Sequence, residues 1–133
     1  MMVTGLYTNI TQAAENDASI RLQDYFLDIN PIDYDFYIEK YHQYCVVGAF
    51  FRKNNIWFYI FDDDEVRVIP GCLFKWGDIN VDSYQFYLDA NQNNSLGVIV
   101  KSLSGIDYWY ERYLNDEQMV IDIIKSTVCG LSH

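Results

Sequence analysis

Positive charge is scarce in this chain. Nine Lys and Arg stand against nineteen Asp and Glu in 133 residues, for a formal charge of −10. Direct nucleic-acid binding and attraction to anionic membranes both depend on clustered Lys and Arg, so the composition disfavours both. No apolar run approaches the ~20 residues that a membrane helix needs. Residues 1–14 carry no basic stretch followed by an apolar one, so no signal peptide is expected there. The three cysteines, Cys45, Cys72 and Cys129, are an odd number at wide spacing. That is a poor disulfide framework, and it fits free thiols in a reducing cytoplasm. No repeat and no Pro- or Ser-rich linker divides the chain, so residues 1–133 are expected to form a single globular domain.

The motifs of common chemistries are missing too. There is no Gly-x-Ser-x-Gly turn, and Gly97 and Gly105 are isolated rather than part of a phosphate cradle. The chain is therefore expected not to be an enzyme. Its two histidines, His42 and His133, make the inventory of a tetrahedral zinc site with Cys45 and Cys129. One Cys in each pair gives no Cys-x-x-Cys knuckle, however, and the odd spacing sends His42 and Cys45 to opposite faces of a strand. The favoured reading is buried thiols and surface imidazoles, with no metal and no cofactor. Asp62-Asp63-Asp64-Glu65 lacks the spacing of a calcium loop and reads as a solvated charged turn that discourages edge pairing.

Hydrophobic residues, by contrast, make up 50% of the chain and aromatics 17%, which excludes intrinsic disorder. Residues 45–51, 56–61, 65–69, 84–88 and 96–100 are β-rich runs separated by polar turns, with 56–61 in mid-sheet and 65–69 nearer an edge. Helical spacing predicts a helix from Asp17 or Ser19 to about Ile29, with Leu22, Tyr25, Phe26 and Ile29 on its buried stripe and Asp24 and Asp28 on a wet face. A second short helix over 34–44 follows from the steps Tyr34, Tyr37, Tyr41 and Tyr44, and a third covers Ile106–Leu114. A last one runs from an Asn115 cap to about Val128, burying Met119, Val120, Ile123, Ile124 and Val128 and stopping at Gly130. The expected class is α+β. It has an antiparallel sheet of about five strands in a meander, with helices at the N- and C-terminal ends packed on it.

Twelve tyrosines and three tryptophans exceed what a core of this size easily absorbs. Acids are interleaved with rings in Asp24-Tyr25, Asp33-Tyr34-Asp35-Phe36-Tyr37 and Asp107-Tyr108-Trp109-Tyr110-Glu111. Such a surface suits a basic partner, since carboxylates meet Lys and Arg while rings stack on guanidinium planes. An inhibitor of a nucleic-acid-cleaving enzyme needs this equipment, because that enzyme's cleft is basic.

In size, acidity and the aromatic hairpin Asn54-Asn55-Ile56-Trp57-Phe58-Tyr59-Ile60-Phe61-Asp62-Asp63-Asp64-Glu65-Val66-Arg67-Val68-Ile69, the chain resembles the immunity proteins of bacterial polymorphic-toxin and contact-dependent growth-inhibition systems. The resemblance implies stoichiometric binding of a cognate toxin domain, often a nuclease, in the cytoplasm. The expected contact residues are Asp24, Asp28, Asp33, Asp35 and Glu39 on one patch and Asp62, Asp63, Asp64 and Glu65 on another, with Tyr34, Tyr37 and Trp109 as aromatic candidates. The alternatives are a phage-type acidic inhibitor that mimics DNA to block a host nuclease, and a small-ligand-binding α+β domain.

Overall fold

The computed structural model describes residues 1–78 and 81–127. It is α+β and antiparallel, with seven strands rather than about five: β1 (Met2–Gly5), β2 (Gln43–Arg52), β3 (Asn55–Asp62), β4 (Glu65–Pro70), β5 (Phe74–Trp76), β6 (Tyr84–Asp89) and β7 (Ser95–Val100). The helices are α1 (Ile10–Asn16), α2 (Trp109–Leu114) and α3 (Gln118–Thr127), at the two ends of the chain as expected. All five expected strands are present. β1 and β5 are the additions, each too short to show an alternating pattern.

The topology is a fork, not a meander. One edge of β2 pairs with β3 along nearly its whole length. Its other edge is shared: Gln43–Cys45 pairs with β1, and Gly48–Phe50 pairs with β7. Between the two halves the register slips by one residue at Val47, a β-bulge that re-aims the strand. β5 lies outside β1 and β6 outside β7, while β4 forms the opposite edge beyond β3. The β3–β4 hairpin closes through Asp63 and Asp64, both left-handed (φ 51° and 61°), a conformation that suits a two-residue hairpin and that short polar side chains tolerate. The β1–β5 branch curls over the sheet. In a flat sheet β3 and β5 would be about 14 Å apart, yet the Phe58 ring lies 6.0 Å from Phe74 and 5.4 Å from Trp76.

Two expected helices are not formed. Asp17 does not cap a helix; its carboxylate accepts from the Ser19 backbone (2.9 Å) and hydroxyl (2.7 Å), and a single 3-10 turn follows at Leu22–Tyr25. Within the proposed stripe Tyr25 and Ile29 are buried, but Phe26 is exposed. The true first helix, α1, starts earlier, where Asn9 accepts from Gln12 N–H at 2.8 Å. Residues 34–42 are extended or turned rather than helical, and Tyr44 already lies in β2. The backbone groups of this stretch are taken by neighbours, with Phe36 N–H on Thr8 O (2.8 Å) and Tyr41 N–H on Gly5 O (2.8 Å). That competition outweighs the helical spacing, and Tyr34, Tyr37 and Tyr41 stand in solvent while Tyr44 is buried. At the other end Asn115 closes α2 and does not open α3, its N–H bonding Glu111 O at 3.0 Å. Val120 and Ile124 are buried, but Met119 is exposed. Val128, Cys129, Gly130 and His133 lie outside the described residues.

The core is aromatic. On one face of the sheet Tyr59 receives Trp109 edge-on at 4.8 Å and Tyr110 at 5.1 Å, which docks α2. Cys72 is a free thiol that accepts the Tyr25 hydroxyl at 3.7 Å. Cys45 is disulfide-bonded, which for this residue overturns the expectation of a free thiol.

Gly97 sits where β7 crosses β2, and a Cβ there would collide with the Ala49 carbonyl oxygen and press on the Tyr87 ring. Gly97→Ala is expected to destabilise the fold by about 1–3 kcal/mol, read as a lower thermal midpoint. An unchanged midpoint would mean that β7 does not approach β2 this closely.

Candidate functional site

The two acidic stretches meet at one end of the molecule. Asp62 closes β3, Asp63 and Asp64 form the turn, and Glu65 opens β4. The end of the extended stretch, at Glu39 and His42, reaches the same turn, while its start runs back along the hairpin, where Tyr34 and Phe36 line a hollow with Asp28, Trp57 and Val68. Arg67 of β4 donates Nη1–H to Phe36 O at 2.7 Å and places Nη2 3.7 Å from Asp62 Oδ2. His42 stands between Asp62 (Nε2 to Oδ1, 3.7 Å) and Glu39 (Nδ1 to Oε2, 3.9 Å), with its ring against Tyr44. The Tyr44 hydroxyl in turn accepts Glu39 N–H at 2.8 Å.

Along the two stretches Asp33, Asp35, Glu39, Asp63, Asp64 and Glu65 are exposed, as are the rings of Tyr34 and Tyr37, the latter 72% exposed. Tyr41, absent from the sequence-based candidates, stands out equally, with Lys40 Nζ 5.1 Å from its ring centre. A hollow of about 330 Å³ lies beside Asp62, Asp63 and Asp64 and is floored by Met2, Gln43 and Phe61. Tertiary packing, not sequence proximity, brings Glu39 and Asp62 to the same histidine.

Three candidates belong elsewhere. Asp28 is not on a wet face: its side chain is 14% exposed and forms a two-point ion pair with Arg52 (Nη2 to Oδ1, 2.6 Å; Nε to Oδ2, 3.0 Å), with Lys53 Nζ at 3.9 Å. Its charge ties the turn region to β2. Asp24 is half-buried in the 3-10 turn. Trp109, 1% exposed, is a core residue and presents no ring to a partner.

Sequence reasoning also missed a buried polar cluster. Asp89, at the end of β6, is 1% exposed and accepts from Tyr59 O–H (2.5 Å) and Tyr87 O–H (2.8 Å). Trp109 Nε1–H reaches Tyr87 at 3.4 Å and Gln92 Nε2–H reaches Tyr59 at 3.5 Å. Asp89 opens the most turn-rich stretch of the chain, and nothing local marks it as buried. The cluster fixes the rings that carry α2.

A cleft of about 390 Å³ lies at the other end of β3, lined by Tyr25, Asn55, Ile56, Cys72, Phe74 and Trp76 among others. The Asn55 amide nitrogen there is buried without a hydrogen-bond partner, and the Trp76 indole N–H is fixed on Gly71 O at 2.9 Å. Among the described residues no group of three His, Cys, Asp or Glu is placed to hold a metal, and no helix is long and apolar enough to cross a membrane. Compared with protein-family models, curated proteins and solved structures, the chain shows no significant match.

Burial sets the alkaline behaviour. Desolvation, reinforced by the Asp89 hydrogen bond and charge, pushes Tyr59 far above the ordinary tyrosine value; desolvation does the same for Tyr25 and Tyr87. Burial pushes Tyr84 up to about 12. A raised tyrosine value favours the neutral, folded form. The stability it contributes is complete below about pH 10 and is lost as pH climbs toward the folded-state values. Absorbance at 295 nm during alkaline titration reads this directly. The buried set should ionise only together with cooperative loss of structure at higher pH. Smooth titration of all twelve tyrosines near pH 10 in the folded protein would contradict this burial.

Proposed function

We propose that the protein is an immunity-type inhibitor that neutralises a cognate toxin domain, a nuclease by preference, through stoichiometric protein–protein binding and without turning over a substrate. One observation carries this reading: the acidic stretches 33–39 and 62–65 are joined through His42 and Arg67, and Asp33, Asp35, Glu39, Asp63, Asp64 and Glu65 with the rings of Tyr34, Tyr37 and Tyr41 all face solvent along them. A nuclease binds phosphate through a basic cleft, and this end offers the opposite charge together with rings for guanidinium stacking. Long-range attraction accounts for capture, and the exposed tyrosines are the anchors that slow release. The acids are clustered rather than evenly spaced along an elongated face, which favours this reading over a DNA mimic.

The test is association with the basic toxin domain encoded beside this protein, measured by stopped flow across ionic strength. The rate constant is expected to fall at least about tenfold from low to high salt. Replacing Asp33, Asp35, Glu39, Asp63, Asp64 and Glu65 by their amides should lower it comparably and abolish protection of cells. A rate indifferent to both changes would remove the acidic end from the mechanism.

On this reading the protein works beside its target in the cytoplasm, a reducing compartment, and the disulfide at Cys45 is the observation that stands against that location. Alkylation under denaturing conditions directly after lysis is then expected to label all three cysteines. Labelling of one cysteine alone would place the protein in an oxidising compartment.

A further inference from the structure

The β6–β7 wing differs from the rest of the molecule. Between Asp82 and Lys101 the sequence has a single acidic or basic side chain, Asp89, and that one is buried in the tyrosine cluster. In a chain of charge −10 this leaves a neutral surface, and an apolar one. Phe86 is 69% exposed, Leu88 65%, Leu96 50% and Phe51, on the adjoining part of β2, 43%. The register puts them on one face: Phe86 opposite Val98, Val98 opposite Ala49, and Leu88 opposite Leu96. Four large side chains in one neutral patch are more than the scattered apolar exposure of an ordinary surface. Beside the patch, β6 is an edge strand. Among the described residues it pairs only with β7, so its outer backbone groups offer a template for another strand.

We infer that this wing is where a second copy of the chain docks, with β6 pairing antiparallel with β6 about a two-fold axis. Alternation restricts the register. For the apolar faces to coincide, residues of equal parity must be opposite each other, which puts the two-fold on a residue; we place it at Phe86, near the middle of β6, so that Phe86 faces Phe86 and Tyr84 faces Leu88 of the second copy. Both apolar faces then join into one.

Charge distribution selects a second copy over the basic partner of the acidic end, since a neutral wing gives a basic surface nothing to pair with. It also permits two acidic chains to meet. The acidic turn of β3–β4 lies at the opposite edge of the sheet, along the order β4-β3-β2-β7-β6. Joining two such sheets at β6 separates the two acidic turns by nine strand spacings, about 40 Å, against a screening length of about 8 Å at physiological salt. A six-residue edge with this patch falls at the small end of interface sizes, below about 1,200 Å², so the dimer is a weak one, micromolar rather than nanomolar. The inference does not depend on the toxin-inhibitor reading, and its salt response differs: with the acidic turns several screening lengths apart the dimer changes little with added salt, whereas salt slows capture of a basic partner.

Sedimentation velocity of the full chain from about 1 to 500 μM decides the matter. Dimerisation with a midpoint in this range is expected. It should be lost in Phe86→Lys and Leu88→Lys and retained in Leu27→Lys, which alters an exposed apolar residue outside the wing. All three positions are exposed, so circular dichroism should stay native. In a Cys72→Ser background, Phe86→Cys should form a covalent dimer under mild oxidation, because residues facing each other across the axis come within disulfide reach. A monomer at every concentration would overturn the inference. So would a dimer that survives both β6 substitutions, or a Phe86→Cys protein that fails to cross-link.

Discussion

The shared edge of β2 is the constraint on which the rest of the architecture depends. A ten-residue strand gives one edge to β3 and divides the other between β1 and β7, with the slip at Val47 separating the two halves. The bulge lets the first half curl with β1 and β5, so that Phe58 can touch Phe74 and Trp76, while the second half extends outward into β7 and β6. Each branch then acquires its own surface. The β1 branch collects the extended acidic stretch through the bonds of Gly5 with Tyr41 and His42. The β7 branch collects the neutral hairpin. The separation of charge from apolar surface thus follows from how one strand is paired.

Holding the acids together costs repulsion, and the structure offsets it locally. Most of the cations near acids are used as ties rather than as surface charge. Arg52 and Lys53 are spent on Asp28, Arg112 lies 2.9 Å from Glu117, and Arg67 serves both a carbonyl and Asp62. His42 stands between two carboxylates. What remains toward solvent at that end is negative charge with rings beside it. Deeper in, Asp89, the one fully buried carboxylate among the described residues, accepts from two hydroxyls, which satisfies it at the cost of keeping Tyr59 and Tyr87 neutral to high pH. The rigid aromatic core and the open acidic end are therefore built from the same residue types, sorted by which strand face they occupy.

Strand reading from the sequence succeeded where runs were long and continuous, as in 45–51 and 56–61, because both faces of β2 and β3 are covered. It missed β1 and β5, whose few residues carry no period, and with them the fork. The tyrosines at 34, 37 and 41 mimic a helical stripe, yet their spacing reflects exposure on an extended stretch whose backbone bonds are supplied by Gly5 and Thr8. Partners distant in sequence decide such a case, and no local pattern contains them. The acidic residues were legible as a class, but their convergence was not. Asp28 looks the same as Asp33 in sequence and is told apart only by Arg52 across the packing interface. Trp109 was singled out for its acidic neighbours, although its indole is a core side chain.

The claim at the centre of this account is that the stretches 33–42 and 62–65 present exposed carboxylates for a basic partner while the β6–β7 wing presents none. Amide chemical-shift mapping with a short oligolysine peptide at low salt tests it directly, since the peptide supplies cationic charge and no fold of its own. Shifts confined to residues 33–42 and 62–65, collapsing on addition of salt and leaving 84–100 unmoved, are the predicted result. Shifts spread evenly over the surface, or centred on 84–100, would contradict it.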